Sequence, residues 1–180
     1  RSSDLTGYAE VLAEWNRASS RTNLGRIYQF GRERVLQQDG SDPTTRRLFV
    51  RDALGSTRLL ADWDGLPRHL FHYDAHGKLT GRSDWVGVGT TNASWTTVTP
   101  GTAALPTAYL FAGQFWDESL GLAYHRARYY DPRTGRWLTR DPLGFAAGDA
   151  NLYRYVGNNA TGATDPSGLF VSFVSDFSAW

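Results

Sequence analysis

The chain has no cysteine, and its four histidines stand at positions 69, 72, 76 and 125. His72 and His76 are four residues apart, a spacing that on a helix could hold zinc. Here they flank the turn-forming stretch Tyr73-Asp74-Ala75-His76-Gly77, so no metal site is expected. No G-x-S-x-G elbow occurs for a serine nucleophile, and Ser167 lies inside Asp165-Pro166-Ser167-Gly168. The abundant chemical group is aspartate, in a recurring Asp-x-x-Gly unit: Asp52-Gly55, Asp62-Gly65, Asp74-Gly77, Asp84-Gly87, Asp141-Gly144 and Asp165-Gly168. Asp117-Gly121 and Asp131-Gly135 are one residue longer. Aspartate at a first corner accepts a downstream N–H, and glycine supplies the left-handed residue that closes the turn. Asp141 and Asp165 each precede proline in matching D-P-x-G units. From the residues alone both read as turn caps. Two carboxylates sharing a site have a second chemistry, because one keeps a proton as general acid while the other acts as base. Arg128 could clamp a carboxylate with its fork or stabilise a developing oxyanion, or stack between Tyr124 and Tyr130. Arg126, two residues earlier and on the same face of a strand, is a second candidate.

The elements that must position these groups follow from the spacing. Aromatics make up 14 % of the 180 residues, and 19 glycines punctuate them. Alternating, β-prone runs such as 47–51, 57–61 and 69–73 lie between turn signals every ten to twelve residues, the signature of a repetitive all-β chain. Gly7–Trp15 reads as strand. Residues 83–108, rich in Thr, Ser and Gly, read as a long loop or frayed hairpin. Residues 141–169 read as an irregular Gly/Pro-rich loop packed around Tyr153 and Tyr155. Lys78 is the sole lysine among 19 basic residues, so arginine–tyrosine stacking is expected. A net charge of +1 gives no bulk drive toward nucleic acid or an anionic membrane. No apolar run is long enough for a membrane-spanning helix. Without cysteine there is no disulfide framework. With no methionine even at position 1, the chain reads as a piece of a longer polypeptide.

Several motifs carry a family resemblance. Tyr73-Asp74-Ala75-His76-Gly77 is similar to the YD repeat of Rhs and teneurin-like proteins. Residues 113–169, with GQFWDESLGLAYHRARYYDPRTGRWLTRDPLGF followed by NLYRYVGNNATGATDPSGL, resemble the Rhs-repeat-associated core domain found in Rhs and toxin-complex C-component polymorphic toxins. TGYAEVLAE at 6–14 resembles the segment preceding that core. Three departures stand out: a slightly longer spacer at Gly148-Asp149-Ala150, Ala160 where proline is common, and a longer 83–108 loop. The resemblance implies an all-β array of short antiparallel hairpins, a segment of a spiral shell that encloses a C-terminal toxin. It implies a shell segment over 1–112, a core and autoproteolysis segment over 113–169, and a stub of the variable region over 170–180. It also implies aspartyl-type self-cleavage between Leu169 and Phe170, with Asp141, Asp165 and Arg128 as the catalytic residues and no cofactor. The implied partners are the chain's own C-terminal region and the rest of the shell, and the implied location is outside the producing bacterium, secreted or delivered. Exposed edge strands in such a piece invite dimerisation. Two other readings stand beside it: a non-catalytic plug that binds its own tail, and a carbohydrate- or protein-binding surface using Trp85 and Trp95.

Overall fold

The computed structural model describes residues 45–86 and 94–174, Asp42, and the segments Ser2–Ser3, Ala9–Glu10, Ala13–Trp15, Leu24–Phe30 and Arg34–Asp39. The protein is all-β, with no α-helix among the described residues. The strands are β1 (Ser2–Ser3), β2 (Ala9–Glu10), β3 (Ala13–Trp15), β4 (Leu24–Phe30), β5 (Arg34–Asp39), β6 (Arg46–Arg51), β7 (Thr57–Asp62), β8 (Pro67–Tyr73), β9 (Leu79–Val86), β10 (Ser94–Val98), β11 (Phe115–Asp117), β12 (Leu122–His125), β13 (Arg128–Asp131), β14 (Arg136–Trp137), β15 (Ala163–Thr164) and β16 (Ser172–Phe173). The chain divides into two compact units, Arg1–Val50 with Leu59–His69, and Arg51–Arg58 with Leu70–Trp180.

In the first unit β3, β4, β5 and β6 form an antiparallel ladder. Tyr28 and Leu36 are buried on it, and the Tyr28 ring meets Phe49 at 6.5 Å. Asp62 caps its own Asp-x-x-Gly turn and carries charge pairs with both Arg47 and Arg68.

The second unit holds the residues of chemical interest. Strands β11 to β14 form a four-stranded antiparallel meander. Its buried face carries Ala123, Tyr130 and Trp137, which pack with Phe111, Tyr155, Val156 and Ala163. Aromatic side chains of this size remove large apolar areas from water and interlock at defined angles. Tyr130 and Tyr155 lie 4.2 Å apart between centroids, and Trp137 meets Tyr155 edge-on at 5.2 Å.

The Asp-x-x-Gly units are turns, as their spacing predicts. The glycine N–H donates to the aspartate carbonyl at Asp52, Asp62, Asp74, Asp141 and Asp165, and in the longer units at Asp117 and Asp131. All seven glycines have positive φ. Asp84 departs from the pattern. It lies inside β9, where Arg82 binds it with two nitrogens at 2.7 and 2.9 Å, so strand pairing and an ion pair override the local turn signal there. Of residues 83–108, expected as a long loop or frayed hairpin, 83–86 and 94–98 pair in register through β9 and β10, where Trp85 meets Trp95 edge-on at 5.2 Å, and 87–93 lie outside the described residues. Of the strand expected over Gly7–Trp15, residues 9–10 and 13–15 are extended, and the others lie outside the described residues. The segment 141–169 is irregular, with short 3₁₀ turns at Gly144–Ala147 and Val156–Asn158. Tyr155 anchors it in the core, whereas Tyr153 stays 40 % exposed.

Candidate active site

The hairpin joining β12 to β13 determines where the site forms. His125 pairs with Arg128 across it, and Arg126 takes a left-handed backbone (φ 63°) in the two-residue turn. Arg126 therefore does not share a strand face with Arg128; the turn places it outside the ladder. The tip of this hairpin grips the chain from Asp165 to Gly168 rung by rung. His125 Nδ1 lies 2.7 Å from the Asp165 carbonyl, and Arg126 Nη1 donates to the Pro166 carbonyl. The Ala127 amide donates to the Ser167 carbonyl at 3.2 Å, and Arg128 Nε donates to the Gly168 carbonyl at 2.5 Å. Four consecutive residues thus hold four consecutive carbonyls. The next carbonyl, that of Leu169, accepts no hydrogen bond among the described residues.

Arg128 unites the two aspartates singled out in the sequence. Its Nη1 lies 2.9 Å from Asp141 Oδ2, and its Nη2 lies 3.4 Å from Asp165 Oδ2. The guanidinium stacks over Trp137 at 4.1 Å from the ring centroid, so the stacking partner is Trp137 rather than the tyrosines. Tyr124 instead meets Tyr129. An arginine fork buried between two carboxylates, with an indole on its face, is a rigid arrangement. The two carboxylates do not share a proton directly, because a cation lies between them.

Each aspartate also caps its own turn. Asp141 Oδ1 accepts the Leu143 amide at 2.8 Å. Asp165 Oδ1 accepts the Ser167 hydroxyl at 3.0 Å, the Leu169 amide at 3.0 Å and the Phe170 amide at 3.1 Å. Burial pushes the Asp165 carboxyl above the usual range, against the opposing pull of the Ser167 hydroxyl, the two amides and Arg128. The Ser167 hydroxyl is tied to Asp165 and lies within hydrogen-bond distance of the Leu169 and Phe170 amides.

The residues around the pair form a cleft of about 160 Å³, lined among others by Arg128, Trp137, Asp141, Asp165, Leu169 and Phe170. That volume admits several waters. Phe145 and Tyr153 do not bury the pair: Phe145 is 72 % and Tyr153 40 % exposed. Burial comes from Trp137 and the chain itself.

His125 is the residue whose part sequence reasoning missed. It is fully buried among Tyr130, Trp137 and Tyr155. Burial pushes its imidazole down to about 4, and the neighbouring Arg126 and Arg128 act in the same direction. Among the described residues no hydroxyl lies within hydrogen-bond distance of its ring nitrogens. The alternating pattern of β12 placed it on the buried face, but nothing local pointed forty residues ahead to Asp165. His72 and His76 are not brought together as ligands. His72 Nε2 meets the Ser83 hydroxyl at 3.1 Å, and His76 sits in its turn with its amide on Asp74. No group of three or more metal-ligating side chains occurs among the described residues.

No family model matches the chain. It is 38 % identical over 125 residues to the toxin protein Tse5 of Pseudomonas aeruginosa, covering 68 % of this chain and 9 % of Tse5. It is 36 % identical over 116 residues to the tRNA(Glu)-specific nuclease WapA of Bacillus subtilis, covering 59 % and 5 %. It is 48 % identical over 63 residues to double-stranded DNA deaminase toxin A of Burkholderia cenocepacia, covering 35 % and 4 %. The chain thus spans less than a tenth of the length of these relatives. Among solved structures, the TcdB2-TccC3-TEV crystal structure matches with a TM-score of 0.61 at 26 % identity, over 87 % of this chain and 7 % of that one. With its RYYDP, RDPLG, NLYRY and DPSGL motifs, this chain is a homologue of the Rhs- and Tc-toxin-associated proteins and carries the core of an Rhs-type polymorphic toxin.

Proposed function

We propose that this segment is a single-turnover aspartyl autoprotease that cuts its own chain between Leu169 and Phe170. The observation that carries the reading is the Phe170 amide, bonded to Asp165 Oδ1 while Arg128 ties Asp165 to Asp141. The nitrogen that must leave already rests on a buried carboxyl group. In the reaction, water in the cleft attacks the Leu169 carbonyl carbon, and the Asp141 carboxylate takes its proton. The carbon–nitrogen bond then breaks, and protonated Asp165 gives its proton to the Phe170 nitrogen. The new Leu169 carboxylic acid returns its remaining proton to Asp165, so the products are a Leu169 carboxylate, a Phe170 amine and a protonated Asp141, and atoms and protons balance. A carboxyl group whose affinity for a proton is raised by burial suits the acid role. Arg128 contacts the Gly168 carbonyl, one peptide before the cut, which makes it the holder of the two carboxylates rather than an oxyanion donor. In the longer protein, the region beginning at Phe170 would be the toxin, and residues 1–112 would belong to the shell that encloses it.

A second reading is a plug that binds its tail uncut. It draws on the pairing of β16 with β15 and the Val174 amide on the Gly162 carbonyl. Intact mass of freshly purified chain under denaturing conditions separates the two. Cleavage gives fragments 1–169 and 170–180 from wild type, and one intact mass from Asp165→Asn. A single intact mass from both chains supports the plug.

A further inference from the structure

We infer that His125 is a positioning residue for this cut, and that its Nδ1–H bond to the Asp165 carbonyl fixes the aspartate that receives the Phe170 amide. The inference rests on the self-cleavage reading above. A carbonyl oxygen accepts only, so Nδ1 must carry the proton, and the neutral ring leaves Nε2 bare. Nε2 is buried without a partner among the described residues. A fully buried ring with one idle nitrogen is a costly way to fill a core, and an apolar side chain would fill it at less desolvation cost. The polar ring therefore has its purpose in the single bond at Nδ1.

The surroundings make that bond rigid. Tyr130 from β13, Trp137 from β14 and Tyr155 meet the imidazole edge-on, with centroids at 5.8, 5.1 and 5.8 Å. Behind it Arg128 holds the Asp165 carboxyl group, so His125 and Arg128 grip the same residue from its backbone and side-chain ends. With both grips in place, Asp165 Oδ1 can meet the Leu169 and Phe170 amides together. Without the backbone grip, the carboxyl group keeps its contact with Arg128 but loses its aim at the Phe170 nitrogen.

The test compares His125→Asn, His125→Gln and His125→Leu in the 180-residue chain, refolded from denatured precursor. Asparagine carries an N–H close to the position of Nδ1. Glutamine carries it farther out, and leucine has none. Cutting is expected to slow on the order of 100-fold in the Leu and Gln variants, the usual effect of about 1 Å of misplacement. His125→Asn is expected to rescue the cut to within about tenfold of wild type. In an uncleaved Asp141→Asn background, hydrogen exchange at the Leu169 and Phe170 amides should speed up with Leu and Gln but not with Asn. If the Leu variant does not fold, the Asn–Gln comparison decides. Wild-type cutting rates in folded Gln or Leu variants, or equal slowing by Asn and Gln, would overturn the inference. Absence of cutting in wild type would overturn the self-cleavage reading instead. Unchanged exchange across all variants would overturn the positioning role whatever the cut does.

Discussion

Gly144 and Gly168 close the two matching D-P-x-G turns, both with left-handed backbone, φ 58° and 72°. They differ in what surrounds them. A Cβ on Gly144 would meet nothing within 4 Å, whereas on Gly168 it would stand 2.6 Å from the His125 carbonyl oxygen and 3.0 Å from the Arg128 amide nitrogen. Both neighbours are backbone of the hairpin tip, so the clamp itself must open. Gly144→Ala should cost about 1–2 kcal/mol of left-handed strain. Gly168→Ala carries the same strain plus about 1–3 kcal/mol of overpacking. At roughly 2–4 °C per kcal/mol for a chain of this size, melting should fall by about 2–8 °C in the first variant and by about 4–20 °C in the second. Thermal melts followed by near-ultraviolet circular dichroism, which reads the Trp137 environment, measure the difference. Timed mass analysis of the refolded chains reads the cut, which should slow far more in Gly168→Ala. Equal melting and equal cutting in the two variants would refute the close approach of the hairpin to residues 165–168.

Arg128→Lys keeps the charge but loses the fork that reaches two carboxylates and a carbonyl at once. It should abolish detectable cutting and destabilise the fold by about 3–5 kcal/mol, the cost of breaking a buried ion pair, as read by urea unfolding; unchanged stability would show that the fork is dispensable. His125 has a folded-state value of about 4 against about 6.5 unfolded. Its neutral form is favoured by the fold, so this contribution is present above pH 6.5 and lost as pH falls toward 4. The loss amounts to about 3 kcal/mol. The group is faced by Arg126, Arg128, Tyr130, Tyr155 and the Asp165 backbone, and Asp165 acts with the opposite sign. Asp165's raised value gives stability present below the ordinary carboxyl range and lost as pH rises through its folded value. Urea melts of wild type minus His125→Asn across pH 4–7 isolate the histidine, and a flat difference would contradict its burial as a neutral ring.

Local chemistry made much of this fold legible. The Asp-x-x-Gly turns, the strands between them and the irregular 141–169 segment follow from short-range rules, because turn closure and alternation act within a few residues. The failures share a cause. Asp84 carries the turn signal but is paired by Arg82 inside a strand, and Arg126 carries the strand alternation but falls on a hairpin corner. Phe145 is apolar yet ends exposed on a 3₁₀ turn. For Asp84 and Arg126, pairing with neighbouring groups and strands outweighs the local preference. Motif resemblance singled out Asp141, Asp165 and Arg128, and the fold gathers them on one guanidinium. The rung-by-rung grip of 125–128 on 165–168 had no sequence signature, since all four of its acceptors and one of its donors belong to the backbone of polar, turn-rich stretches that any residue could supply.

The central claim is hydrolysis of one peptide bond by water in the cleft lined by Asp141 and Asp165. The direct measurement refolds denatured precursor in water enriched in heavy oxygen and follows the products by mass. The account predicts a fragment ending at Leu169 with heavy oxygen in its new carboxylate, a peptide beginning at Phe170 with none, and neither product from Asp141→Asn or Asp165→Asn. A folded wild-type chain that stays intact, or products that form equally in both Asn variants, would contradict it.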